Sequence, residues 1–258
     1  MPRLNFWTRE ELIVALNLYL QLPFGKMHQG NAEIIQLAAL IGRTPSAVAM
    51  RLSNFASVDP YHQSRGIGGL TGGMNQVQPI WDEFINNKED LLFESERILA
   101  ALEKKSVEKK FEKELSDLGD LKGEVRIAAM KTRVNQHVFR RIVLANYDFR
   151  CAVTGIDVSE LLVASHILPW GSHAQERLNP ENGLCLSPLF DKAFDKGLMT
   201  ITNSYTVRFS PKITAHATKP YFEKHFSPFE GSKISIPAKY LPRKEFLEFH
   251  ADTIFQSK

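Results

Sequence analysis

Residues 161–197, "LLVASHILPWGSHAQERLNPENGLCLSPLFDKAFDKG", constrain the fold more than any other stretch of the chain. "LLVAS" and "GLCLS" are short apolar runs that read as strands, and a Pro/Asn/Gly-containing loop separates them. Ser187 then supplies a helix cap and Pro188 a first-turn residue; Leu189, Phe190, Ala193 and Phe194 form one apolar face, and Gly197 ends the helix. The order is strand, loop, strand, helix. His166 closes the first strand, where an imidazole either packs quietly or takes a proton near neutral pH. Asn182 sits in "NPENG", a turn by composition. Asp191 and Asp195 lie four residues apart on one helix face, where like charges repel by a few tenths of a kcal/mol. A divalent cation would turn that repulsion into chelation. Lys192 and Lys196 would neutralise the pair on a plain solvated surface.

The upstream region is helical. Thr8 and Glu11 form a capping-box pattern ahead of Leu12, Leu16, Tyr19 and Leu20, with Pro23 beyond. Asn31 can cap a second helix carrying Ile34, Ile35, Ala38 and Ile41, and Gly42 followed by Thr44-Pro45 stops it and starts "SAVAMRLSNFA". Helix, glycine turn, helix is the outline of a helix-turn-helix, whose second helix would offer Arg43, Ser46, Arg51 and Asn54 to a DNA groove; a small helical bundle that binds protein or merely packs is the alternative. "RGIGGLTGG", residues 65–73, lacks the Gly-Lys-Ser/Thr of a phosphate-binding loop and reads as a flexible connector. Residues 81–121 are charged, and "ALEKKSVEKKFEKELSDL" contains neither Gly nor Pro. An exposed connecting helix or dimerisation arm is expected there. The domain expectation is 1–80 helical, 81–121 connecting, and 122–258 a second domain. Near its start, residues 134–147 read as a helix; at the far end, "LPRKEFLEFHADTIF" reads as an amphipathic closing helix with His250 packing.

Charge is uneven. Residues 1–121 hold 13 Lys/Arg and 16 Asp/Glu, whereas residues 122–258 hold 19 and 13. A polyanion would be drawn to the C-terminal half. Arg133, Arg140 and Arg141, in a basic run ahead of "CAVTG", are candidate phosphate contacts. Cys151 and Cys185 are too few for a four-thiolate zinc site and read as free thiols. The opening "MPRLNFWTREEL" carries acidic residues where a signal peptide needs an apolar core, and no run of about 18 uncharged apolar residues occurs. A soluble, cytoplasmic chain is expected, with no membrane partner.

The ordered series His166, Asn182, Asp191, Asp195, with "TG", "SHILPW", "LNPENGLCLSPLFDKAFDKG" and "MTI", resembles the HNH nuclease family, closest to its bacterial putative restriction endonuclease branch. The resemblance implies an α+β architecture in which an N-terminal helical, helix-turn-helix-like domain precedes a ββα-metal domain. It implies a metal-dependent DNA endonuclease, with restriction or defence against foreign DNA as its setting. His166 would be the general base, Asn182 would brace the loop, and Asp191 and Asp195 would bind metal. Ser165 stands where many members place another ligand, and Asp191 replaces the name-giving last histidine. Oxygen ligands favour Mg²⁺ or Mn²⁺. DNA is the implied partner, and a homodimer would pair nicks on two strands. The rival is a non-catalytic DNA-binding protein with a degenerate HNH fold.

Overall fold

The computed structural model describes residues 6–66, 68–237 and 239–257, so the first five residues and Ile67 of the glycine-rich stretch lie outside it. The chain forms two compact units, Met1–Val138 and Phe139–Lys258.

The first unit is helical. Helix α1 (Arg9–Gln21) begins with the capping box: the Glu11 amide donates to the Thr8 hydroxyl at 3.2 Å, and the Thr8 amide to the Glu11 carboxylate at 2.9 Å. Every residue from Leu12 to Gln21 is buried, so α1 is the central helix of this unit and not an amphipathic surface element. Around it lie α2 (Ala32–Ile41), α3 (Pro45–Val58), α5 (Met74–Phe84) and α6 (Lys88–Leu102); the short α4 (Pro60–Gln63) packs on α3 and the short α7 (Val107–Lys110) on α6. Asn31 caps α2, Gly42 ends it at φ +67°, and Thr44 caps α3.

Two expectations change here. Residues 81–121 are not one exposed arm. Asn87 restarts the chain as α6, which packs on α1 and returns Leu91 and Ile98 to the same core. A sparse apolar seam at helical spacing decides this, not the number of charges around it. One of those charges, Glu96, is itself buried and pairs with Lys110 at 3.1 Å. The glycine-rich stretch is not a loose connector either. A Cβ at Gly69 would stand 2.2 Å from the Ser53 carbonyl oxygen, and one at Gly73 2.2 Å from Asn54 Oδ1. These glycines let the backbone lie directly on α3.

Helix α8 (Gly123–Asn146) contains the boundary between the units. In the second unit, β1 (Val163–His166) pairs antiparallel with β2 (Gly183–Leu186), bringing Ala164 opposite Cys185 and His166 opposite Gly183. Helix α9 (Pro188–Asp195) packs on both strands, completing a ββα unit. A second hairpin, β3 (Met199–Ile201) with β4 (Val207–Phe209), follows. Short helices α10 (Pro211–Thr214) and α11 (Pro220–His225) lead to α12 (Lys244–Phe249). The closing helix is tighter-bounded than expected: α12 widens into a π-turn, His250–Ile254. The chain then crosses the end of α9, where the Gln256 amide donates to the Gly197 carbonyl at 2.8 Å and its side-chain amide to the Lys196 carbonyl at 2.7 Å. Gly197, at φ +65°, admits this crossing, since a Cβ there would lie 2.0 Å from the Ile254 carbonyl oxygen. The α+β class expected from the sequence is the class observed. Among the described residues, no helix is long and apolar enough to cross a membrane.

Candidate active site

Strand alternation decides which side chains of β1 can meet α9. Ala164 and His166 line a cleft of about 450 Å³ together with Ile167, Trp170, Asp195 and His250. Ser165 points to the other face, is 3% exposed, and its hydroxyl oxygen has no hydrogen-bond partner among the described residues. Adjacent strand residues face opposite ways, so Ser165 does not line the cleft that His166 lines.

His166 is held on three sides. Its ring lies parallel to Phe139, centroids 4.3 Å apart at 12°, and meets Trp170 edge-on at 5.2 Å. Its Nε2 is 2.8 Å from the Arg177 carbonyl. A carbonyl only accepts, so Nε2 carries the hydrogen and Nδ1 keeps its lone pair. Nδ1 has no protein partner among the described residues. Burial lowers the pKa of His166 below its ordinary value, against a smaller upward pull from the Arg177 carbonyl. The imidazole is thus neutral at neutral pH and offers a bare nitrogen in a cleft.

Asn182, 1% exposed, holds the loop that follows His166. Its Oδ1 accepts from the Leu168 amide at 2.7 Å, its Nδ2 donates to the Glu176 carbonyl at 3.0 Å, and its own carbonyl accepts from Ile167 at 2.9 Å. The Arg177 Nε donates to the Trp170 carbonyl at 2.7 Å, with the guanidinium over the indole. Both ends of the loop are therefore tied, and the Arg177 carbonyl that orients His166 cannot drift.

On α9, Asp195 lines the cleft, while Asp191 is half-buried one turn earlier. Burial and then the charge of Asp191 raise the Asp195 carboxyl above its ordinary range; Lys192 and Lys196 pull the other way. Two adjacent carboxylates suit a hard cation that completes its shell with water and phosphate oxygens. They do not suit a closed zinc cage: among the described residues, no group of three or more His, Cys, Asp or Glu could hold a metal. Cys151 and Cys185 are free and buried. Cys151 Sγ accepts from the Ser187 amide at 3.2 Å, satisfying a donor at the start of α9 where the Ser187 side chain makes no capping bond. Burial pushes the Cys185 thiol up to about 12. His250 closes the far wall, stacked on Phe194 at 3.7 Å, with Nδ1 at 2.9 Å from the Thr200 hydroxyl and Nε2 at 3.1 Å from the Phe194 carbonyl.

The basic residues expected at DNA are engaged elsewhere. Arg140 donates to the Leu162 and Ser159 carbonyls, at 2.6 and 3.0 Å, pinning the approach to β1. Arg141 is half-buried. Arg133 pairs with Asp117, and Arg43 with Glu11 at 2.7 Å. Arg51, 8% exposed, donates to Gln76 at 3.1 Å and lies over Trp7; Asn54, 4% exposed, donates to the Leu70 carbonyl at 2.5 Å. Helix α3 buries the side chains it was expected to show to a groove, because the glycine-rich stretch and α5 cover it.

Sequence reasoning missed Phe139, Arg177 and the role of Gly183. Arg177 acts through its carbonyl, which leaves no trace in side-chain chemistry. Gly183 did leave one, since glycine inside a strand marks a close approach of another element. A Cβ there would meet Val143 Cγ2 at 2.4 Å and Phe139 Cζ at 3.2 Å.

Residues 151–202 match the HNH endonuclease family, a span that takes in the "TG" turn, β1, the braced loop, β2, α9 and β3. The chain carries an HNH endonuclease domain there, and DNA is the substrate that domain implies. No curated protein matches the chain.

Proposed function

We propose that this protein is a metal-dependent DNA endonuclease that hydrolyses phosphodiester bonds with His166 as general base. The observation that carries the reading is the His166 imidazole: neutral, oriented through Nε2, and open at Nδ1 in a cleft shared with Asp195. Nδ1 takes a proton from water as the water oxygen bonds to phosphorus. The P–O3′ bond breaks, and the departing oxygen takes up a proton from solvent. Asn182 keeps the loop, and with it the Arg177 carbonyl, in place. Asp191 and Asp195 would hold Mg²⁺ or Mn²⁺, which when bound supplies positive charge against the phosphate and the departing oxygen. Restriction of foreign DNA in a bacterial cytoplasm is the setting we assign, on the family resemblance of the motif.

Nicking of supercoiled plasmid in Mg²⁺, Mn²⁺ or EDTA tests this, with His166→Ala beside the wild type. Metal-dependent nicking that disappears in the variant is expected. Nicking retained by His166→Ala, or none by the wild type on plain or modified DNA, would overturn it. A non-catalytic DNA-binding protein is the second reading, favoured by the inward-facing Ser165 and the two-carboxylate donor set.

A further inference from the structure

Most of the cations expected to hold DNA already have partners within the chain. Arg140 serves two backbone carbonyls, Arg133 and Arg43 serve carboxylates, and Arg51 is buried. Two others occupy the site itself. Lys192 and Lys196 are exposed, line the same cleft as His166 and Asp195, and stand four residues apart, hence on one face of α9 and its last turn. Neither ammonium is hydrogen-bonded or ion-paired among the described residues, although both act through space on Asp195.

The side-chain geometry explains why they remain available. Asp195 lies on the same cleft wall, yet neither ammonium takes it as a hydrogen-bond or ion-pair partner among the described residues. A phosphodiester is a better one, since it is ionised at every working pH and brings several acceptor oxygens. Lysine suits this task as a flexible point charge that follows the phosphate without demanding a bidentate geometry.

We infer that Lys192 and Lys196 form the phosphate-binding rim of the cleft, contacting the DNA backbone on either side of the bond presented to His166. The inference rests on the endonuclease reading for the identity of the ligand. The contacts are to backbone, so they give affinity without sequence preference.

The test is the salt dependence of duplex binding, read by fluorescence anisotropy in EDTA for the whole protein and for Lys192→Gln/Lys196→Gln. Each phosphate neutralised contributes about 0.9 to the slope of log K against log salt. The double variant should bind more weakly on every sequence, with a slope shallower by about 1.8. Lys192→Arg/Lys196→Arg should restore the wild-type slope, which a merely misfolded glutamine variant could not explain. Lys212→Gln/Lys219→Gln, two exposed lysines outside the cleft lining, serves as the control. An unchanged slope in the cleft variant, or an equal loss in the control, overturns the inference. No DNA binding by the wild type overturns both this rim and the nuclease. Binding with the expected slope change but no nicking in any metal removes the endonuclease reading and leaves the rim standing.

Discussion

Gly183→Ala is a substitution of one methyl group whose effect the structure allows to be worked out. Gly183 has φ −116° and ψ 137°, ordinary extended backbone that any residue adopts, so glycine is not there for conformational freedom. It is there for space. The added Cβ would lie 2.4 Å from Val143 Cγ2, 3.2 Å from Phe139 Cζ and 3.2 Å from the Pro180 carbonyl oxygen. Carbon atoms at rest sit about 3.5–4.0 Å apart, so Val143 has to retreat by more than an ångström. It is fully buried, and Phe139 is 2% exposed. Overpacking of this kind costs about 1–3 kcal/mol, and the intrinsic gain of Ala over Gly in a strand offsets about 0.5–1 kcal/mol. A net loss of about 1.3 kcal/mol is expected, which lowers Tm by roughly 5 °C for a unit of this size. Because Phe139 stacks on His166, nicking should fall further than stability alone requires. The assay is thermal denaturation with plasmid nicking at a temperature where the variant is folded. Val143→Ala in the Gly183→Ala background should relieve the clash, giving a coupling of about 1 kcal/mol in a double-mutant cycle. A Tm at or above wild type, or strictly additive single effects, would refute the packing reasoning.

Two further predictions concern the same unit. Burial holds His250 at a pKa of about 4 against an ordinary 6.5, so the unfolded chain binds its proton first as the pH falls. The stabilisation is complete above pH 6.5 and is lost progressively down to about pH 4; it amounts to roughly 3 kcal/mol. Urea midpoints of wild type and His250→Gln across that window should converge as the pH drops, and parallel curves would contradict the assignment. Asn182→Ala leaves the buried Leu168 amide without its partner, while the Glu176 carbonyl keeps its bond from the Asn179 amide; with one buried donor orphaned, a loss of about 1–3 kcal/mol is expected. A change in urea stability below 1 kcal/mol, on the order of one ordinary hydrogen bond, would show that the loop does not depend on that side chain.

The parts of the molecule that were legible in the sequence are those governed by local rules. Thr8, Asn31 and Thr44 announce helix starts through chemistry confined to three residues. Pro188 and Gly197 bound α9 by equally local rules, whereas the donor at Ser187 is met by Cys151 Sγ, 36 residues away in sequence. What was hidden depends on partners distant in sequence. "RGIGGLTGG" has the composition of a flexible connector, and only its apposition to Ser53 and Asn54 shows why side chains are excluded there. Arg51 and Asn54 carry DNA-reading side chains by type, but a helix exposes a face only if nothing else covers it. Ser165 was placed by its position next to His166, whereas adjacency along a strand means separation across it. In each case residue type suggested a role, and direction decided it.

The crossing of Gln256 over the end of α9 ties the order of synthesis to the state of the cleft. His250 and Ile254 form part of its wall, and the bonds from Gln256 to Gly197 and Lys196 secure the turn that carries Lys196. His166, Asn182 and Asp195 are all made earlier along the chain, yet the enclosure around them lacks a side until those later residues arrive. A nascent or prematurely terminated polypeptide therefore contains the reactive groups without the assembled chamber. Completion of translation through this segment is the step that first brings them into one.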